Sequence, residues 1–144
     1  MAQFRLKRAK YLIFFLAIFF IFNGCEKIND SQVPDVSFTF NIDLNILNDL
    51  TIPGNSRYFP HVGFGGVIVS CESPGVYYAY DATCTYELSQ TCKIKNEGLL
   101  GTCSCCGSKF VLLYEAYPSS GPAAAPLKRY QISQVNSFTI RVYN

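Results

Sequence analysis

Val36, Phe38, Phe40, Ile42 and Leu44 alternate with Ser37, Thr39, Asn41 and Asp43, and this strict period of two narrows the fold more than any other feature. A helix scatters such residues around its axis, whereas a strand with one buried face lines them up. Residues 64–70 (FGGVIVS) and 76–81 (VYYAYD) are β-prone runs joined by Glu72-Ser73-Pro74-Gly75, which signals a hairpin. Residues 110–116 (FVLLYEA) read as a further strand. Residues 130–135 and 138–143 pair across Asn136-Ser137, with Phe138, Ile140 and Val142 on one face. Residues 45–61 contain Pro53-Gly54-Asn55 and Pro60 and read as an irregular crossing. No window carries a useful helical period. The expectation is an all-β chain, folded as an antiparallel sandwich or a partly open barrel.

The N-terminus has a different character. Arg5, Lys7, Arg8 and Lys10 precede an unbroken apolar run at 11–22 (YLIFFLAIFFIF). That run is shorter than the roughly 20 residues a membrane-spanning helix needs, and it matches the apolar core of a secretory signal. Phe22-Asn23-Gly24-Cys25 resembles a bacterial lipobox, which implies cleavage before Cys25 and acylation of its thiol. Residues 1–24 are therefore expected to be a lipoprotein signal, 25–35 the lipidated Cys25 with a tether, and 36–144 one β domain. Multiple acyl chains on Cys25 would hold the protein at a membrane. Glu26, Lys27, Ile28, Asn29 and Asp30 lack the run of acids that some Gram-negative surface lipoproteins carry. The expected location is the cell envelope, as an outer-membrane lipoprotein facing the periplasm. Arg8 has no arginine beside it, so the signal is not of the twin-arginine kind, and the chain is expected to cross unfolded.

Charge and residue types exclude several functions. All ten acids and eight of the twelve bases follow residue 24, a net charge of −2, so no nucleic-acid partner is expected. His61 is the single histidine and lies beside Pro60 outside both cysteine motifs, so no Ser-His-acid or Cys-His set is nominated. Gly63-Phe64-Gly65-Gly66 precedes a strand rather than a helix, so it is no phosphate loop. No catalytic residue is nominated. After Cys25, six cysteines remain: Cys71, Cys84, Cys92, Cys103, Cys105 and Cys106. An even number in an oxidising compartment points to disulfides.

Cys84-Thr85-Tyr86 and Cys103-Ser104-Cys105-Cys106-Gly107-Ser108 each sit beside a predicted strand, and Gly121-Pro122-Ala123 follows them. Over about residues 64–143 this order resembles the Rieske iron–sulfur domain, which has C-T-H in one loop, C-P-C-H-G-S in a second and a Gly-Pro-Ala covering loop. The resemblance implies a Rieske-like antiparallel β-sandwich with a small two-loop cysteine subdomain. Cys84 and Cys103 match the thiolate ligand positions, while Tyr86 and Cys106 stand where the family has histidine. A Rieske centre takes two cysteines on one iron and two histidines on the other, and this chain cannot supply the second pair.

Three uses of the thiols follow. In one branch of the family a cysteine beyond the first motif bonds the middle cysteine of the second, which implies a Cys92–Cys105 disulfide here. Cys84 and Cys103 would flank one iron, and without it a second disulfide between them is expected, leaving Cys71 and Cys106 over. The alternative is a 2Fe–2S cluster held by Cys84, Cys103 and Cys106 with Cys92, Cys105 or Tyr86, whose potential would lie below a Rieske centre's. Zinc fits the C-x2-C spacing of Cys103 and Cys106 but finds no matching knuckle at Cys84 and Cys92. The favoured expectation is a disulfide-stapled domain with no cofactor, acting as an accessory or interaction module for an envelope protein. The alternative is a low-potential electron carrier.

Overall fold

The computed structural model describes residues 32–144. The expected signal at 1–24, the lipidation site Cys25 and most of the tether lie outside the described residues. No helix among the described residues is long and apolar enough to cross a membrane.

The described residues hold ten strands: β1 Thr39–Asp43, β2 Ser56–Phe59, β3 Val67–Ser73, β4 Val76–Asp81, β5 Ile94–Glu97, β6 Leu100–Cys103, β7 Lys109–Val111, β8 Pro118–Ser120, β9 Arg129–Asn136 and β10 Thr139–Tyr143. They form a six-stranded sheet in the order β1-β10-β9-β4-β3-β2 and a four-stranded sheet in the order β5-β6-β7-β8. Every pairing is antiparallel. The all-β antiparallel class is as expected.

The β3–β4 hairpin explains the apolar run at 67–69, because both of its faces are covered. Val67, Val69 and Ala79 point into one core with Ile42, Leu50, Tyr130, Ile140 and Val142. Ile68, Tyr78 and Tyr80 point the other way, into a second core with Ile94, Phe110, Leu112 and Leu127. The first core is closed by curling of the large sheet, which brings Phe40 of edge strand β1 to a ring-centroid distance of 5.2 Å from Phe59 of edge strand β2. From Phe38 on, the alternating residues face this interior, with Ile42 and Leu44 buried and Phe38 and Phe40 packed against it.

β4 and β9 are neighbours in the large sheet, pairing Ala79 with Tyr130 and Tyr80 with Arg129. Residues 82–128 are thus one excursion that leaves the sheet, builds the small sheet and returns. Asp81, fully buried, pins its root. Its carboxylate accepts hydrogen bonds from the backbone N–H groups of Phe64 (2.8 Å), Gly65 (3.1 Å) and Thr83 (2.8 Å), and from the Tyr130 hydroxyl (2.7 Å). These bonds draw residues 63–66 so close that a Cβ on Gly65 would lie 2.2 Å from Thr83 Oγ1. At the return, the Lys128 ammonium is buried against the Pro34 carbonyl (3.1 Å) and the Asp35 carboxylate.

Three expectations need correction. The strand foreseen over 110–116 ends at Val111, because the chain turns through left-handed backbone at Tyr114 (φ 53°) and Ala116 (φ 48°). Phe138 does not share the buried face of Ile140 and Val142; it sits in the turn before β10 and is 58% exposed. The crossing at 45–61 is not wholly irregular, since it contains a 3-10 turn at Asn48–Thr51 and β2.

Candidate functional site

The cysteines gather at the far end of the excursion, where each loop is shaped by backbone hydrogen bonds. The first loop leaves β4 and is clamped at its neck: Thr83 bridges Lys93, the Cys84 N–H donates to the Cys92 carbonyl (3.0 Å), and the Ile94 N–H donates to the Ala82 carbonyl (2.7 Å). The second loop is the tip of the β6–β7 hairpin. The Cys103 N–H donates to the Ser108 carbonyl (2.8 Å) and the Gly107 N–H to the Cys103 carbonyl (3.1 Å), with Gly107 in left-handed backbone (φ 71°). Such a turn favours glycine, which has no Cβ to clash.

A third segment, containing Gly121-Pro122-Ala123, lies over both. The Ala123 N–H donates to the Ser108 hydroxyl (3.0 Å), and the Thr85 hydroxyl donates to the Ala125 carbonyl (2.7 Å). Gly121 fits because it is bare: its φ is 95°, and a Cβ there would lie 2.5 Å from the Ser108 Cα.

Cys92 and Cys105 are disulfide-bonded, with Cα atoms 5.4 Å apart, and so join the two cysteine loops. Cys84 and Cys103 are not bonded to each other, contrary to expectation, and both thiols are free. The reason lies in Cys106. The sulfurs of Cys84, Cys103 and Cys106 form one group within 4.8 Å of one another, and Cys84 and Cys106 are 3.6 Å apart. The Cys84–Cys106 spacing is well beyond the roughly 2.0 Å of an S–S bond. Cys71, also free, is buried in β3 and outside this group.

The three thiols differ in environment. Cys84 is fully buried, and burial pushes its pKa up to about 12 despite help from the Glu87 backbone N–H. Cys106 is only half-buried. Burial pushes its pKa up, but hydrogen bonding with the Ser108 hydroxyl and amide, and with Cys103 and Cys84, together outweighs this and brings it below the ordinary thiol value. Cys106 Sγ lies 3.1 Å from Ser108 Oγ, and Cys103 Sγ accepts the Cys105 N–H at 3.4 Å. Cys106 therefore gives up its proton more readily than Cys84. Sequence reasoning missed Ser108 as the residue that touches both Cys106 and the covering loop, although its place in the Cys103–Ser108 motif was a usable signal.

Tyr86, where the Rieske family has its first histidine, is 57% exposed. His61 is exposed in the turn after β2, in left-handed backbone (φ 65°), and is not among the clustered metal-ligating side chains. The donors that converge here are all sulfur, and a two-histidine, two-cysteine centre does not fit them.

The sequence matches no protein-family model. No curated protein matches it either. Among solved structures, the chain is similar to one in a complex of reduced oxygenase and oxidised ferredoxin in carbazole 1,9a-dioxygenase, with 24% identity over 63% of this chain and 90% of that one, at a TM-score of 0.46. It is also similar to the ferredoxin of carbazole 1,9a-dioxygenase from Nocardioides aromaticivorans IC177, with 19% identity over 75% of this chain and 97% of that one, at a TM-score of 0.48.

Proposed function

We propose that the protein is an envelope lipoprotein, anchored through Cys25 to the periplasmic face of the outer membrane, with a Rieske-like frame that carries no Rieske centre. It acts as an accessory or interaction module rather than as an electron carrier. The observation that carries this reading is the donor set: three sulfurs within 4.8 Å of one another, and no imidazole among them. A Rieske centre draws its high potential from histidine on one iron, and the side chain standing in the first histidine position, Tyr86, points to solvent. The tip remains well built without that pair, because the Cys92–Cys105 disulfide and the covering loop hold it.

Tyr86 and Leu88 on the first loop are 57% and 42% exposed, which gives the tip apolar area of the kind protein partners grip. The competing reading is a low-potential 2Fe–2S carrier ligated by Cys84, Cys103 and Cys106, favoured by the same convergence of free thiols. Visible spectroscopy of the full chain, purified in detergent without air, separates the two. The accessory reading expects no band that bleaches with dithionite and returns on reoxidation; a reversible bleach establishes the carrier.

A further inference from the structure

We infer that Cys84, Cys103 and Cys106 bind a single thiophilic metal ion, zinc(II) or copper(I), as a three-thiolate site with one open side. The inference rests on the reading that no two-iron cluster occupies the tip. Its basis is spacing. An ion about 2.3 Å from each sulfur in tetrahedral geometry holds those sulfurs about 3.8 Å apart. Cys84 and Cys106 are 3.6 Å apart, and the whole trio lies within 4.8 Å. In a two-iron centre the donors are divided between two metals, whereas here all three sulfurs lie within 4.8 Å of one another.

The chemistry of the donors agrees with the spacing. All three are soft thiols, which select zinc and copper(I) over harder ions. Two of them come from a C-x2-C pair on a hairpin tip, Cys103 and Cys106, and the third comes from the loop bonded to that tip. The Cys92–Cys105 disulfide withdraws the two nearest competing thiols and fixes the approach of Cys84 to the pair. The bonds that orient the sulfurs are already made: the Cys105 N–H to Cys103, and the Ser108 hydroxyl beside Cys106. Cys84 and Cys103 are buried while Cys106 is half-buried, so a fourth ligand, water or an incoming donor, enters on the Cys106 side. Binding exchanges three S–H protons, released to solvent, for three metal–sulfur bonds, with no change in oxidation state.

The test uses the full chain, purified anaerobically in detergent, with metals counted per chain and cobalt(II) as a probe for the zinc site. The expected result is one zinc or copper ion per chain, and thiolate-to-cobalt charge-transfer absorption when cobalt replaces it. Cys103→Ser and Cys106→Ser each lose the ion, Cys71→Ser retains it, and Ser108→Ala weakens zinc binding about tenfold. Peptide mapping that finds Cys92 still linked to Cys105 shows that these variants fold. Metal-free protein that binds no added zinc or copper(I), or two of the three sulfurs joined in a disulfide, overturns this inference alone. Two irons and two sulfides per chain overturn both it and the proposed function.

Discussion

The Cys92 and Cys105 side chains are joined across a Cα separation of 5.4 Å, and this bond ties the loop after β4 to the tip of the β6–β7 hairpin. The two residues are 13 apart in sequence. A disulfide closing a loop of about 15 residues adds about 3 kcal/mol, chiefly by restricting the unfolded chain. Cys92→Ser is therefore expected to lower urea-denaturation stability by about 3 kcal/mol. Adding reductant should lower the wild type by a similar amount and leave the variant unchanged.

Asp81→Ala should cost more. It removes one buried acceptor from three backbone N–H groups and the Tyr130 hydroxyl. Each buried donor left unpaired costs about 1–3 kcal/mol, so a loss of roughly 3 kcal/mol or more is expected. Asp81→Asn keeps one accepting oxygen and should fall between that variant and the wild type in thermal or urea unfolding.

Gly121→Ala tests the covering loop. The new Cβ meets the Ser108 Cα at 2.5 Å, and alanine is strained at a φ of 95°. Backbone strain of this kind costs about 1–3 kcal/mol, and 1.4 kcal/mol is a tenfold change in an equilibrium. Alkylation of Cys106 in the native, metal-free protein is expected to accelerate about tenfold, with the Cys92–Cys105 link retained. An unchanged alkylation rate would show that the loop does not guard the thiols.

Stability should also depend on pH in the alkaline range. Burial holds the Tyr80 pKa above its ordinary value, and burial with the neighbouring Asp81 carboxylate does the same for Tyr130. An unfolded chain releases tyrosine protons near pH 10, while the folded chain keeps these two. Above that pH the unfolded state binds fewer protons than the folded one, so stability falls as pH rises. Below it the contribution is fully present. Tyr80→Phe should flatten this fall in urea titrations between about pH 9 and 11, at the cost of the Tyr80 hydroxyl's 2.9 Å bond to the Tyr114 carbonyl.

Membrane attachment has its own test. If Cys25 is the acylated residue, Cys25→Ser moves the protein from the membrane to the soluble fraction with its signal uncleaved at residue 24. A variant that remains acylated and is processed at the same bond would contradict the lipobox reading.

The sequence spoke most clearly where burial imposes a pattern. The alternation of 36–44 and the apolar β3–β4 hairpin were legible because one face or both faces of those strands are covered. β5 and β8 were not, since both are short and, apart from Ile94 in the core, Lys95-Asn96-Glu97 and Pro118-Ser119-Ser120 are mostly polar and held by backbone pairing. At the site, the paired loop motifs contain Cys84, Cys103, Cys105 and Cys106, while Cys92 lies beyond the first motif. The grouping of Cys106 with Cys84 and Cys103 belonged only to the alternative, cluster-binding expectation; the favoured one left Cys106 over, because its contact with Cys84 joins residues 22 apart through two separate turns. The absence of an imidazole pair was legible from the single histidine alone.

The most direct measurement is the count of iron and acid-labile sulfide per chain in full-length protein, purified without air from cells grown with ample iron. The donor set at Cys84, Cys103 and Cys106 leads us to expect neither above trace, in a protein whose Cys92–Cys105 disulfide is intact. Two irons and two sulfides per chain would contradict it and make the tip an electron-carrying cluster.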